Sequence, residues 1–121
     1  MKLDQSIIKP WTILRAEVGS KIHGLNLGDT GDRDELGVCV EGINLALGLT
    51  PFDQYVYRTA VEREHRNDAK SQAGDLDLTI YSLRKFLGLA LKGNPTILAL
   101  LWATGEALIV RDSRGQALQE L

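Results

Sequence analysis

Two aspartates one residue apart, Asp32 and Asp34 in the stretch GDRDELG (residues 31–37), stand just ahead of an apolar run that reads as a strand. On a strand, residues i and i+2 point to the same face, so the two carboxylates converge on one point in space. Like charges held that close repel unless a cation lies between them, and hard oxygen ligands select Mg2+ or Mn2+. A third carboxylate completes such a clamp, and DLDL (residues 75–78) offers Asp75 and Asp77. Three carboxylates hold two divalent ions roughly 3.5–4 Å apart, one lowering the pKa of an attacking hydroxyl and the other bridging phosphates and leaving group. That is the chemistry of phosphoryl transfer. Upstream, Gly19 and Ser20 end a strand, where glycine lets the backbone approach a phosphate and N–H groups at a helix start cradle it. Lys21, His23 and Arg33 lie beside this cluster in the chain as candidate cations for phosphate. Asp and Gly are equally the residues of an ordinary solvated turn, and spacing alone leaves both readings open.

Competing motifs fail on detail. GSKIHG (residues 19–24) has the glycine spacing of a P-loop, but Leu25 and Asn26 stand where Lys and Ser or Thr are required. Read as an EF-hand loop, Asp32, Asp34 and Gly37 fit positions 1, 3 and 6, while Leu36 and Ile43 occupy positions 5 and 12, which need ligand oxygens. One cysteine and two distant histidines make no zinc pattern. Cys39 lies mid-strand among valines, the place of a core residue rather than a nucleophile.

The elements that must position these residues belong to one domain, residues 1–121, with a single core. A hydrophobic fraction of 44% and a charged fraction of 25% exclude disordered and fibrous classes. A net charge of −2 gives no general pull toward nucleic acid or anionic membrane, so any polyanion needs a local cationic site. A single cysteine excludes an internal disulfide framework and fits a reducing compartment. No apolar run reaches the ~20 residues that span a bilayer, and the first residues lack the apolar core of a secretion signal, so the expectation is a cytoplasmic protein without a membrane partner.

WTILRAEV (residues 11–18), LGVCVEG (36–42), FDQYVYRT (52–59), DLDLTIY (75–81) and ALIVRD (107–112) read as strands. Residues 20–34 are rich in Gly, Asp and Asn, and residues 60–74 are nearly all polar and read as an exposed loop that includes His65. Leu83, Phe86, Leu87, Ala90 and Leu91 recur at helical spacing as one apolar stripe, with Ser82 as cap and Gly93 and Pro95 as terminators. A second helix is expected over residues 96–102, and a third begins at SRGQALQEL. Arg84 and Lys85 read as the solvated flank of the long helix, with triphosphate steering as the alternative. Cys39, Trp11, Trp102 and the leucine stripe read as core. The sum is an α+β (α/β) domain: a small mixed sheet with helices packed on one face.

The segments GSKIHG, DRDELGVCVE, FDQYVYRT and GDLDLTIYSLRKFLGLALKGNPTILALL together resemble the nucleotidyltransferases of the DNA polymerase beta superfamily. The most similar branch is the bacterial and phage one associated with RNA repair. The likeness covers about residues 18–102, and its YSLRKFL and KGNP stretch is more specific than the G-S and D-x-D core. The resemblance implies a minimal palm fold. It further implies that Gly19 and Ser20 contact a triphosphate, and that Asp32 and Asp34 ligate both metals; Lys21 and Arg33, beside that site in the chain, are the candidates to meet its phosphates. Asp77 is the implied third ligand, at the metal that activates the acceptor, with Asp75 the weaker choice. The implied activity is Mg2+-dependent (or Mn2+-dependent) transfer of a nucleoside monophosphate from an NTP to a hydroxyl of RNA, protein or a small molecule, with pyrophosphate leaving.

Two departures from the family pattern stand out. Gly31 replaces the Ser or Asp common before the first ligand, and relatives continue past this terminus with a helical portion that helps to hold base and acceptor. The alternative expectation is therefore a shortened, non-catalytic nucleotide- or partner-binding module. In that reading Leu118 and Leu121 need a cover such as a second copy of the chain, which makes a homodimer.

Overall fold

A computed structural model describes residues 5–18, 33–49, 51–70 and 74–121. Asp32, Gly19, Ser20, Lys21 and His23 lie outside these residues. The elements run α1 (Gln5–Ile8), a single helical turn, β1 (Thr12–Glu17), β2 (Arg33–Cys39), α2 (Ile43–Ala46), β3 (Gln54–Arg58) and α3 (Thr59–Glu64). They continue with β4 (Leu76–Ser82), α4 (Leu83–Leu91), α5 (Pro95–Leu101), β5 (Leu108–Arg111) and α6 (Ser113–Gln119). The five strands form one mixed sheet in the order β3-β4-β2-β1-β5. Only the β2–β4 pair is parallel among them.

Alternation along the strands sorts the side chains onto two faces. Leu14, Ala16, Leu36 and Val38 form the face against which α4, α5 and α6 pack, burying Phe86, Ile97, Leu100 and Leu118. Full burial of a side chain such as Phe86 stabilises the fold by about 1.5–3 kcal/mol. The three longer helices thus share one face, as the apolar spacing predicts. The other face is smaller, with Cys39, Leu78 and Ile80 under Ile8 of α1, and Trp11, Phe52, Tyr55 and Tyr57 around them.

Local chemistry sets the helix boundaries. The Ser82 hydroxyl accepts from the Lys85 amide at 3.2 Å, so α4 begins directly where β4 ends. Gly93 adopts φ +77, the left-handed conformation that terminates this helix. The Asn94 side chain then accepts from the amides of Thr96 and Ile97, with Pro95 at the first helical position of α5. Asp112 caps α6 through two amides at 2.9 Å. This helix lies so close to β1 that a Cβ on Gly115 would collide with the Ile13 carbonyl oxygen.

Four expectations need correction. Residues 60–74 do not form an exposed loop throughout: the chain continues from β3 into α3, Ala60 and Ala69 are buried, and α3 ends at His65 with φ 56. In α4 the buried side is carried by Phe86 with Leu83, Leu89 and Ala90, while Leu87 is exposed and Leu91 is 89% exposed. Trp102, expected in the core, is 73% exposed at the end of α5, whereas Leu118 is buried in the chain's own core and needs no partner to cover it. Leu121 remains exposed. Among the described residues, no helix is long and apolar enough to cross a membrane.

Candidate active site

β2 begins at Arg33, and only its first two side chains are exposed before the strand enters the core at Glu35. Asp34 therefore stands at the rim of the sheet. Its register partner on the parallel strand β4 is Asp77. Residues paired in register point to the same face, and adjacent strands lie about 4.8 Å apart. The two carboxylates, separated by more than forty residues of chain, thus share one face at one end of the sheet. They lie on the helix-covered face, two residues before Leu36 and Thr79 respectively. β1 ends at the same place, because the Val18 amide donates to the Asp34 carbonyl at 2.9 Å. Val18, the residue after β1, thus lies beside Asp34.

Asp77 has a cationic neighbour. Arg58 is its antiparallel partner on β3, and the guanidinium Nε donates to Oδ1 of Asp77 at 3.3 Å. The same guanidinium donates to the carbonyls of Ala69 at 2.7 Å and Asn67 at 3.4 Å. Asp75 has a different setting. Its side chain is buried, and Nη1 of Arg63 donates to both carboxylate oxygens at 2.8 and 3.0 Å. The hydrogen bond to Asp75 is the main cause raising the Arg63 pKa above its usual value. The Asp75 carbonyl accepts from the Arg33 amide at 2.8 Å, and the Thr59 hydroxyl accepts from the Leu76 amide at 3.0 Å. Asp75 thus locks α3 onto the start of the inner strand β4.

Other candidate residues sort by position. Arg33 is adjacent to Asp34 in the chain, and strand alternation turns it to the opposite face. Arg84 and Lys85 lie beyond the far end of β4, since Asp77 to Ser82 spans five residues at about 3.3 Å each, roughly 16 Å. They do not meet Asp77 across that length. His65 is exposed, as expected. Cys39 is fully buried, and burial, with the Glu41 carboxylate adding, pushes its thiol up to about 12, so it has negligible thiolate at neutral pH. The spacing-based reading of Cys39 as core agrees with this.

Asp34 and Asp77 are hard, partly solvated oxygen donors on one face, and in kind they suit Mg2+ or Mn2+. Among the described residues no group of three or more His, Cys, Asp or Glu gathers to hold a metal, and Asp32 lies outside them. Arg58 and Arg63 escaped the sequence reading. The signal for both is weak: each becomes meaningful only through its cross-element partner, although the good helix formers in TAVERE are a local hint of α3.

A family model described as the RNA repair pathway DNA polymerase beta family matches residues 5–116, nearly the whole chain. No curated protein and no solved structure matches.

Proposed function

The chain belongs to the RNA repair pathway DNA polymerase beta family, and from that premise we propose that it is a divalent-metal-dependent nucleotidyltransferase acting on an NTP and a hydroxyl acceptor. The observation that carries the reading is the register of Asp34 with Asp77 on one face, at the sheet end where β1 also finishes. In this proposal Asp32 joins them as the third carboxylate, and Gly19, Ser20 and Lys21 receive the triphosphate. When bound, Mg2+ or Mn2+ supplies charge neutralisation and lowers the pKa of the attacking hydroxyl.

The chain's own residues then do the rest. Asp34 and Asp32 would hold the divalent ion that positions the α-phosphate for in-line attack, and Asp77 faces the acceptor and takes the hydroxyl proton. The acceptor oxygen bonds to the α-phosphorus while the bond to the bridging oxygen breaks, and pyrophosphate leaves with that electron pair. Positioning and electrostatics supply most of the rate enhancement in this scheme.

The test is label transfer from α-32P-NTP to RNA, protein and small-molecule acceptors. Asp34→Asn and Asp77→Asn are expected to abolish transfer with circular dichroism unchanged. Undiminished labelling in both variants rejects the site. NTP binding by the wild-type chain without any product favours the non-catalytic module instead.

A further inference from the structure

Arg58 is the cation nearest to the proposed ligand Asp77 among the contacts described above, and what anchors it is informative. Among the hydrogen bonds described for it, the shortest, at 2.7 Å, goes to the neutral carbonyl of Ala69, and a second carbonyl, that of Asn67, takes Nη1. The contact to Asp77 runs through Nε at 3.3 Å, longer than the bond to Ala69 and close to the 3.4 Å of the bond to Asn67. Ala69 is itself buried, so the backbone receiving Arg58 is tied into the fold. The guanidinium is therefore held by the segment after α3 as well as by the carboxylate beside it. A planar fork held in this way keeps its charge in place when a cation approaches Asp77, whereas a flexible ammonium swings aside.

We propose that Arg58 is a positioning residue which, anchored by the Asn67 and Ala69 carbonyls, orients the Asp77 carboxylate and sets the affinity of the Asp34–Asp77 face for divalent metal. This rests on the reading of Asp77 as a metal ligand. A fixed positive charge within hydrogen-bond reach of the ligand repels a dication through a partly solvated medium, which weakens metal binding to the free protein. A triphosphate brings compensating negative charge, so metal and nucleotide bind cooperatively: each raises the affinity of the other by the same factor.

The test is Mn2+ binding to the full chain, read from the electron paramagnetic resonance of free Mn2+, for wild type, Arg58→Gln, Arg58→Lys and Asp77→Asn. Arg58→Gln is expected to bind Mn2+ roughly tenfold more tightly than wild type, because the opposing charge is gone. Arg58→Lys is expected to gain about threefold, since its single ammonium moves away from the dication. Both variants also lose the fork to Ala69 and lower the urea midpoint, but a purely structural role moves only that midpoint and leaves Mn2+ affinity unchanged or weaker. If Arg58→Gln does not fold, the Arg58→Lys measurement decides: no gain in Mn2+ affinity overturns the proposal. Mn2+ binding that Asp77→Asn weakens but Arg58 variants do not tighten overturns this inference alone. Absent Mn2+ binding, or binding indifferent to Asp77→Asn, overturns the metal-site reading and this inference with it.

Discussion

Removal of the Arg15 guanidinium leaves the carboxylate of Glu35 stranded in the sheet. Glu35 follows Asp34 on β2 but points to the opposite face, where its side chain is only 4% exposed. Arg15 of β1, itself 16% exposed, donates from Nε to Glu35 Oε1 at 2.7 Å. At an effective dielectric of about 20, charges some 4 Å apart attract by about 4 kcal/mol, in line with the ~3–5 kcal/mol lost when one partner of a buried pair is deleted. Arg15→Met, which keeps the aliphatic bulk, is therefore expected to lose about 3–5 kcal/mol from a total that for such domains is about 5–15 kcal/mol. With a urea m-value of about 2 kcal/mol/M, the midpoint falls by roughly 2 M. The double variant Arg15→Met/Glu35→Leu leaves no orphaned charge and recovers most of that loss. The assay is equilibrium urea unfolding followed by circular dichroism and tryptophan fluorescence. An Arg15→Met midpoint within ~0.5 M of wild type, or a double variant as unstable as the single one, refutes the assignment of Arg15 and Glu35 as a desolvated pair.

Further outcomes follow from the same geometry. Asp75→Asn is expected to lower the urea midpoint yet retain label transfer, because Asp75 fastens α3 through Arg63; a folded but inactive Asp75→Asn makes it a ligand after all. Gly115→Ala drives a methyl into the Ile13 carbonyl and is expected to cost about 1–3 kcal/mol in urea unfolding; a neutral effect shows that α6 shifts freely on β1. The Asp112 carboxyl is held below its ordinary value chiefly by the Gly115 amide, with the Arg114 guanidinium and amide assisting against desolvation. A depressed folded-state pKa means that this contribution is complete above about pH 4 and is lost as pH falls through the folded value. Asp112→Asn keeps an acceptor without the charge, so its stability deficit near neutral pH should close in acid; a deficit independent of pH removes the charge from the account.

The strands were legible because their signals are local. Runs such as TILRAE and QYVYR alternate or concentrate β-branched and aromatic residues between turn-forming neighbours, and the structure places β1 and β3 there. Ser82 and Gly93 likewise announce the ends of α4 by chemistry carried in single residues. The errors fall where a tertiary partner decides. TAVERE is too short for a helical period to stand out, and its place in the fold depends on Arg63 finding Asp75 twelve residues later. Leu87 and Leu91 belong to the apolar stripe of α4 in the sequence and Leu89 does not, yet the way the helix lies on the sheet turns Leu89 toward the core and leaves the other two exposed. Leu118 reads as a terminal apolar residue in want of a cover until Gly115 lets α6 settle on β1.

The candidate site shows the same division between local and long-range information. The D-x-D spacing marks Asp34 as a candidate by strand alternation alone, but the register of Asp34 with Asp77 needs a parallel pairing across the middle of the sheet, which no local pattern specifies. Two hydrogen-bonded neighbours flank that pairing: Val18, just past the end of β1, fixes Asp34 from one side and Arg58 of β3 fixes Asp77 from the other. Consecutive residues therefore divide the labour at the rim of β2. Asp34 faces the rim that the proposed chemistry uses, while Glu35 turns inward and ties β2 to β1 through Arg15. A one-residue slip of β2 exchanges the two, bringing a paired, buried glutamate to the rim and an aspartate into the sheet. The cost of stranding that charge makes register and site a single property of the fold: whatever protects the Arg15–Glu35 pair also keeps Asp34 opposite Asp77.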